Sequence, residues 1–341
     1  MLTRLVKGAH AAEATSSHAT AYARKVIPVA AAASPFFVRR SATALPCLHT
    51  GNSRSDVRGC WKGKGEDEPR WTRGLSVAAS GAEERMLQVD IGGGIATLTL
   101  CDDKKRNALS TQMMAALRDT IKRLEHDAAV KVVVIRHDGK VFSSGHDLKE
   151  INLQQTTAGT TEPIFSLCSS LMLAVRQARF PIIAEVGGLA TAGGCQLVAA
   201  CDMAVAADTS TFSTPGVKIG LFCTTPGVAL ARAMPAKHAM EMLLTGDALT
   251  AQQALMYGLV NKVVAADQLR SQTAALAAKV AQAPAETVKI GKKAFYTQTA
   301  MPDLSAAYTF AQQVMVDNMC IPDAKEGVGA FIEKRAPKWH S

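Results

Sequence analysis

Two short loops hold the residues best suited to chemistry. The segment VFSSGHDLKE, Val141 to Glu150, strings together Ser143, Ser144 and Gly145 just ahead of a helix starting near Leu148, so backbone can approach a ligand closely. The segment LATAGGCQL, Leu189 to Leu197, sets Gly193 and Gly194 at the head of another helix, where N–H groups lack intrahelical partners and the potential is positive. Two such N–H groups converging on one point make an oxyanion hole, which stabilises charge that develops only in the transition state, as on an enolate. Gly pairs also serve ordinary tight turns, so spacing alone leaves both readings open.

Other reactive side chains are scattered. Of eight cysteines, Cys47 and Cys60 lie near the N-terminus and Cys101, Cys168, Cys195, Cys201, Cys223 and Cys320 in the rest; none forms a CxxC pair. The spacing matches no zinc signature, so no metal is expected, and free buried thiols in a reducing compartment are the natural state. Cys195 and Cys223 are weak nucleophile candidates. Glu185 sits inside the apolar run PIIAEV, where an acid must be either paired or functional, and pairing is favoured. Glu150, Asp202 and Asp208 are further acids without an evident role, and Asp147 reads as a helix cap.

The elements that must position these loops follow from periodicity. MLQVDI (Met86 to Ile91) and GIATLTL (Gly94 to Leu100) alternate apolar residues around a Gly turn, as in a hairpin. Ser110 caps a helix in which Met113, Met114, Leu117, Ile121 and Leu124 recur at helical spacing through about His126. KVVVIR (Lys131 to Arg136), PIIAEV (Pro181 to Val186) and DMAVAAD (Asp202 to Asp208) read as strands, and CQLVAAC (Cys195 to Cys201) as a helix. Strand, Gly-containing loop and helix in repetition predict an α/β fold whose loops work at one edge of a parallel sheet. After about Pro226 the pattern is almost wholly helical, with no second sheet expected there.

The 341 residues are 48% apolar, 20% charged and 5% aromatic, the profile of a globular protein with ample core. The formal charge is +9, but residues 1–80 hold 12 Lys and Arg against 5 Asp and Glu, so the excess sits in one arm. A basic arm is not a basic face on a folded domain, and nucleic-acid binding is not expected. An arm rich in Ala, Ser, Thr and Arg has the make-up of an organellar transit peptide. The apolar run from Val26 to Val38 is too short to span a bilayer and contains Pro28 and Pro35, so no transmembrane segment is expected. The expected division is an arm (1–80), a core (81–265) and a helical assembly region (266–341).

Six strings carry a likeness to a known family: KKRNALS (Lys104 to Ser110), VFSSGHDLKE, PIIAEVGGLATAGGCQLVAACDMAVA, FSTPGVKIGLFCTTPGVAL (Phe212 to Leu230), LTGDALTAQQALMYGLVNKVV (Leu244 to Val264) and EGVGAFIEKRAP (Glu326 to Pro337). Together they resemble the successive signatures of the crotonase, or enoyl-CoA hydratase/isomerase, superfamily over residues 86–338. The resemblance implies a spiral of strand–strand–helix repeats followed by helices that assemble homotrimers or homohexamers. It implies an acyl-CoA thioester as ligand, with coenzyme A entering as part of the substrate and no separate cofactor. Residue by residue, it makes the backbone N–H groups of His146 and Gly193 the oxyanion donors. It places Asp147, Leu148 and Lys149 against the adenine end of CoA, Arg106 near the CoA phosphates, and Lys334 where it reaches a neighbouring subunit's CoA.

The likeness fails at two positions. Hydratases of this family resemble one another in two glutamates, and here Gln196 and Gly216 stand in their places. Hydration needs a base for water and an acid for the α-carbon, each worth 10²–10⁴ in rate, roughly. A neutral amide cannot take that proton and Gly has no side chain. Three functions therefore fit: a thioester-binding protein of fatty-acid metabolism with weak or altered hydratase-type activity, a decarboxylase of malonyl-type CoA esters, and a non-catalytic acyl-CoA sensor or oligomer subunit.

Overall fold

The computed structural model describes residues 86–341; the arm over 1–80 lies outside them. The expected hairpin is present: β1 (Leu87–Gly92) pairs antiparallel with β2 (Ile95–Leu100) across Gly93 and Gly94. Both turn residues have positive φ, 58° and 81°, which suits a two-residue turn between right-twisted strands. Next comes α1 (Thr111–Leu124), capped by the Ser110 hydroxyl, which accepts from the Met113 N–H at 3.2 Å. The five apolar residues at helical spacing are all buried on its inner face.

Three repeats then follow the same course. β3 (Val132–His137) and β4 (Val141–Ser143) lead to α2 (Leu148–Ala158) and α3 (Glu162–Gln177); β5 (Ile182–Val186) and β6 (Leu189–Thr191) lead to α4 (Gly193–Ala200). β7 (Met203–Ala207) and β8 (Thr211–Ser213) lead through a 3-10 turn, Pro215–Ile219, to α5 (Thr224–Ala233) and α6 (Ala236–Thr245). In each repeat the first strand joins one sheet and the second another. The first sheet runs β1-β2-β3-β5-β7 and is parallel from β2 onward, while β4, β6 and β8 lie parallel in the second. This is the expected spiral.

The stretch read as almost wholly helical differs in two places. Leu249–Thr250 forms β9, antiparallel to β8, ahead of α7 (Ala251–Met256), and Lys262–Val264 forms β10, parallel to β7. Two or three residues are too few for a period to register in sequence. The remainder is helical: α8 (Leu269–Ala281), α9 (Ala285–Gln298), α10 (Leu304–Met319) and α11 (Pro322–Ile332).

Alternation along the parallel strands divides the core. Val133 and Ile135 of β3, Ile182, Ala184 and Val186 of β5, and Ala204 and Ala206 of β7 face the larger apolar cluster shared with α1, α3 and α4. Val132, Val134, Ile183, Val205 and Ala207 face the other way, where Leu269 and Ala277 of α8 cover them. Among the described residues, no helix is long and apolar enough to cross a membrane.

Candidate active site

The two Gly-containing loops meet. Leu109 donates its N–H to the Gly145 carbonyl at 2.8 Å and Ser144 to that of Arg106 at 3.0 Å, so the KKRNALS segment is zipped to the loop after β4. Gly145 has φ 82°, and a Cβ there would lie 2.8 Å from Ala192 Cβ and 2.9 Å from the Gly193 nitrogen. Only a residue without a side chain lets these backbones approach so closely. On the opposite side Ala192 holds φ 49° and ψ −117°, a conformation L-residues adopt only under constraint, immediately before Gly193 opens α4.

A Cβ at Gly193 would lie 3.5 Å from His146 Cδ2 and 3.6 Å from Gly145 Cα, so the two loops pack against one another here. Neither the His146 nor the Gly193 N–H donates to a backbone carbonyl among the described residues. Helix geometry leaves the first N–H of α4 free, and the helix dipole favours negative charge there. An oxyanion hole requires two such donors aimed at one point.

His146 itself is held by packing. Its ring meets Phe165 of α3 edge-on, 5.3 Å between centroids, and both ring nitrogens are buried without a hydrogen bond. Burial pulls the imidazole below its ordinary pKa; the Leu109 carbonyl and Glu150 carboxylate push weakly the other way. Asp147 caps α2, its carboxylate accepting from the N–H of Lys149 at 2.9 Å and of Glu150 at 3.4 Å. Leu148 and Lys149 form the exposed first turn of that helix. Glu150 is structural: it accepts from the Thr111 N–H at 2.8 Å and hydroxyl at 3.0 Å.

At the two positions where the family's glutamates would stand, the chemistry is neutral. Gln196 lies one turn along α4 from Gly193 and is 4% exposed; its Oε1 accepts from the Cys168 thiol of α3 at 3.8 Å. Gly216 sits in the 3-10 turn, and a Cβ there would lie 2.5 Å from the Leu221 carbonyl oxygen and 2.7 Å from Cys223 Sγ. The room a side chain would need is therefore filled by backbone and by a thiol. Burial raises both nucleophile candidates, Cys195 to about 12 with Cys223 adding to the rise, whereas a nucleophilic cysteine needs its thiolate.

Not every expected residue joins this cluster. Arg106 is exposed with φ 53°, contributing its carbonyl to the loop–loop zipper. Lys334 follows α11, whose main contacts are with α9 and α10. Glu185 points to the α8 side of the sheet, away from the loops, where burial raises its pKa against the pull of Arg136, Thr273 and Arg270. Sequence reading missed Asn107, fully buried with φ 49°, whose amide nitrogen donates to the carbonyls of Asp138 at 3.1 Å and Val141 at 2.7 Å. Asn tolerates the left-handed region, which was the available signal. Cys168 and Phe165 gave no such signal, because a thiol and an aromatic on an amphipathic helix read as core. Among the described residues no group of three His, Cys, Asp or Glu could hold a metal ion. A cavity of about 190 Å³ lies away from the loops, lined by Arg176, Asp202 and Tyr296 among others, and one of about 410 Å³ lies over Ser166, Ser169 and Ser170 of α3.

Known proteins similar to this chain share its fold. The enoyl-CoA hydratase domain-containing protein 3, mitochondrial, of Rattus norvegicus is 47% identical over 258 residues, covering 76% of this chain and 85% of the relative. The crystal structure of human enoyl Coenzyme A hydratase domain-containing protein 3 is 47% identical with a TM-score of 0.72, covering 75% of this chain and 100% of that one. An enoyl-CoA hydratase structure from Mycobacterium smegmatis is 44% identical with the same TM-score, covering 75% and 99%. The family signature described as Enoyl-CoA hydratase/isomerase matches residues 90–341, and the chain belongs to that crotonase family.

Proposed function

We propose that this protein binds acyl-CoA thioesters in the mitochondrial matrix, as part of fatty-acid metabolism, and polarises the thioester carbonyl between the His146 and Gly193 N–H groups, with weak or altered hydratase-type activity. What supports this is the packing of the His146 and Gly193 loops against one another, neither N–H donating to a backbone carbonyl among the described residues, beside two positions with no carboxylate. The site can stabilise an enolate, but Gln196 can neither take a proton from water nor return one, and the space beside Gly216 admits no acid. Leu148 and Lys149, exposed in the first turn of α2, with the half-buried Asp147 that caps it, suit the CoA moiety; the exposed Arg106 is assigned to the CoA phosphates and Lys334 to the CoA of a neighbouring subunit. The mitochondrial names of the relatives and the composition of the arm support the location.

Apolar residues exposed on the last helices, including Leu304, Tyr308, Met315, Phe331 and Ile332, favour assembly into a homotrimer or homohexamer. The same neutral site suits a malonyl-type decarboxylase, since loss of CO₂ generates the enolate without a base and needs only the oxyanion donors.

The test incubates the full chain with saturated, 2-enoyl, 3-hydroxy and malonyl-type CoA esters and follows every product by mass spectrometry. Binding with slow gain of water on the 2-enoyl esters is the expected result, and selective loss of CO₂ from malonyl-type esters would move the assignment to the decarboxylase. Esters recovered intact but bound would leave a sensor. Gly193→Pro removes one donor at a helix position that tolerates proline, and loss of binding is expected there.

A further inference from the structure

We infer that the cavity of about 190 Å³ between α3, α5 and α9 is a binding site for a single phosphate-class oxyanion, held by Arg176 and Arg232. It lies apart from the two loops, and none of its lining residues takes part in the thioester site.

Two guanidiniums supply the charge. Arg176, in the last turn of α3, is half-buried, with its Cζ 3.4 Å from the centre of the Tyr296 ring. Stacking sets the plane of the guanidinium but uses none of its five N–H groups. Among the described residues Arg176 makes neither an ion pair nor a side-chain hydrogen bond. The Asp202 carboxylate, which lines the same cavity, is already engaged: it accepts from the Lys292 ammonium at 2.8 Å, the Tyr296 hydroxyl at 2.7 Å and the Ile182 N–H at 2.7 Å. Arg232 of α5 gives one N–H to the Val228 carbonyl at 2.8 Å and keeps the others open. Asn261, ahead of β10, accepts the Ala204 N–H on its Oδ1 at 2.8 Å, so its amide nitrogen is turned the other way as a third donor.

Charge and size together select the ligand. The Lys292 ammonium balances Asp202, which leaves the two arginine charges at the cavity uncompensated. An anion between them removes their mutual repulsion, and its bonds to guanidinium N–H groups are stronger than those of a neutral acceptor. The donors come from three separate elements: α3, α5 and the turn ahead of β10. A carboxylate presents its oxygens in one plane, whereas a tetrahedral oxyanion presents them toward all three. Pockets for cofactor-sized ligands run from about 300 to 1,000 Å³, so this volume admits one small anion and excludes a nucleotide. Arg232, Asn261 and Phe295 are exposed, so the cavity is reached from solvent. The anion joins α3 and α5 to α9 through the stack of Arg176 on Tyr296, an arrangement that exists only in the folded chain.

The experiment is calorimetric titration of the full chain with sodium phosphate at pH 7.5, in chloride buffer of constant ionic strength, with thermal unfolding beside it. One saturable site per chain is expected, and a Tm that rises with phosphate and not with chloride. Arg176→Met and Arg232→Met should each weaken phosphate binding tenfold or more, roughly the worth of one charge-assisted hydrogen bond. Arg232 is exposed, so its variant should melt as the unaltered protein does in chloride alone, which separates a lost site from a lost fold. Lys279→Met removes an exposed charge on α8 and should leave phosphate binding unchanged. AMP carries the same charged group on a body too large for the cavity and should bind more weakly than phosphate; tighter binding of AMP, lost in Arg176→Met, would assign the site to a phosphomonoester of a larger molecule. No saturable binding of either, binding that survives in both arginine variants, or an equal loss in Lys279→Met would overturn the site.

Discussion

Lys292 of α9 and Asp202 at the head of β7 form an ion pair at 2.8 Å with side chains only 7% and 11% exposed. The Lys292 ammonium also donates to the carbonyls of Val175 at 3.2 Å and Phe180 at 2.9 Å, and Asp202 accepts from the Tyr296 hydroxyl at 2.7 Å and the Ile182 N–H at 2.7 Å. Arg176 of α3 stacks 3.4 Å over the Tyr296 ring. One carboxylate thus joins α9 to the edge of the first sheet. Lys292→Met leaves Asp202 nearly buried without its counter-charge, which costs about 3–5 kcal/mol. Denaturant unfolding at neutral pH checks this: the midpoint should fall clearly for Lys292→Met and hardly at all for Lys289→Met, whose pair with Glu286 is half exposed.

His137 makes stability depend on pH. Its Nε2 accepts the Gly187 N–H at 2.9 Å, which requires the neutral ring, and burial pulls its pKa below 6.5 against the opposing influence of Asp138 and Asp103. In the unfolded chain the ring protonates near 6.5, so between that value and the lower folded one the unfolded state binds more protons. Stability therefore falls as the pH drops through about 6.5, and His146 acts in the same direction. Glu185, raised by burial, acts in the opposite direction, so the comparison must be made by variant. His137→Asn should be less stable at pH 7.5 and lose less on going to pH 5.5, measured by unfolding at both; parallel losses would assign the effect elsewhere.

The close approach at Gly145 gives a test of the hole without touching a donor. Gly145→Ala must adopt φ 82° and thrust a methyl within 2.8 Å of Ala192 Cβ, forcing the loops apart. Strain and overpacking of this kind cost about 1–3 kcal/mol each. Gly159→Ala is the control: φ is 66°, but nothing lies within 4 Å of its Cβ. Both variants should unfold earlier, while only Gly145→Ala should lose thioester binding, by tenfold or more in calorimetry.

What could be read in the sequence was what repeats or has a fixed local geometry. The helix of Met113, Met114, Leu117, Ile121 and Leu124 has a period, the Asp147 cap has a spacing, and the parallel strands have continuous apolar runs. The second sheet had none of these, since its strands have two or three residues each and are fixed by neighbours far along the chain. The site divides in the same way. The loop strings identified Gly145, His146 and Gly193 because the backbone itself is the functional group. The partner of Gln196 could not be found, because Cys168 reaches it only through the packing of α3 against α4, and that of Gly216 could not because Cys223 comes against it only where the chain turns back between the 3-10 segment and α5.

That packing decides what happens when the missing glutamates are put back. From the sequence, Gln196→Glu with Gly216→Glu should raise hydration of crotonyl-CoA if the pocket is otherwise that of a hydratase. The structure argues against it at the second position, where the new Cβ would meet the Leu221 carbonyl oxygen at 2.5 Å and Cys223 Sγ at 2.7 Å. Backbone cannot step aside as a flexible side chain would, so the turn from Pro215 must shift and the carboxylate would not be aimed at a water. At the first position, a carboxylate beside Cys168 in a site 4% exposed is held toward its neutral form by desolvation. The double variant should therefore unfold at lower denaturant than the unaltered protein and hydrate crotonyl-CoA no faster, followed by loss of the enoyl absorbance. Adding Cys223→Ala relieves only the contact with sulfur, leaving the carbonyl in place, and is expected to recover some stability without hydration. A rise in hydration for either variant would mean that the turn moves freely enough to rebuild a hydratase site.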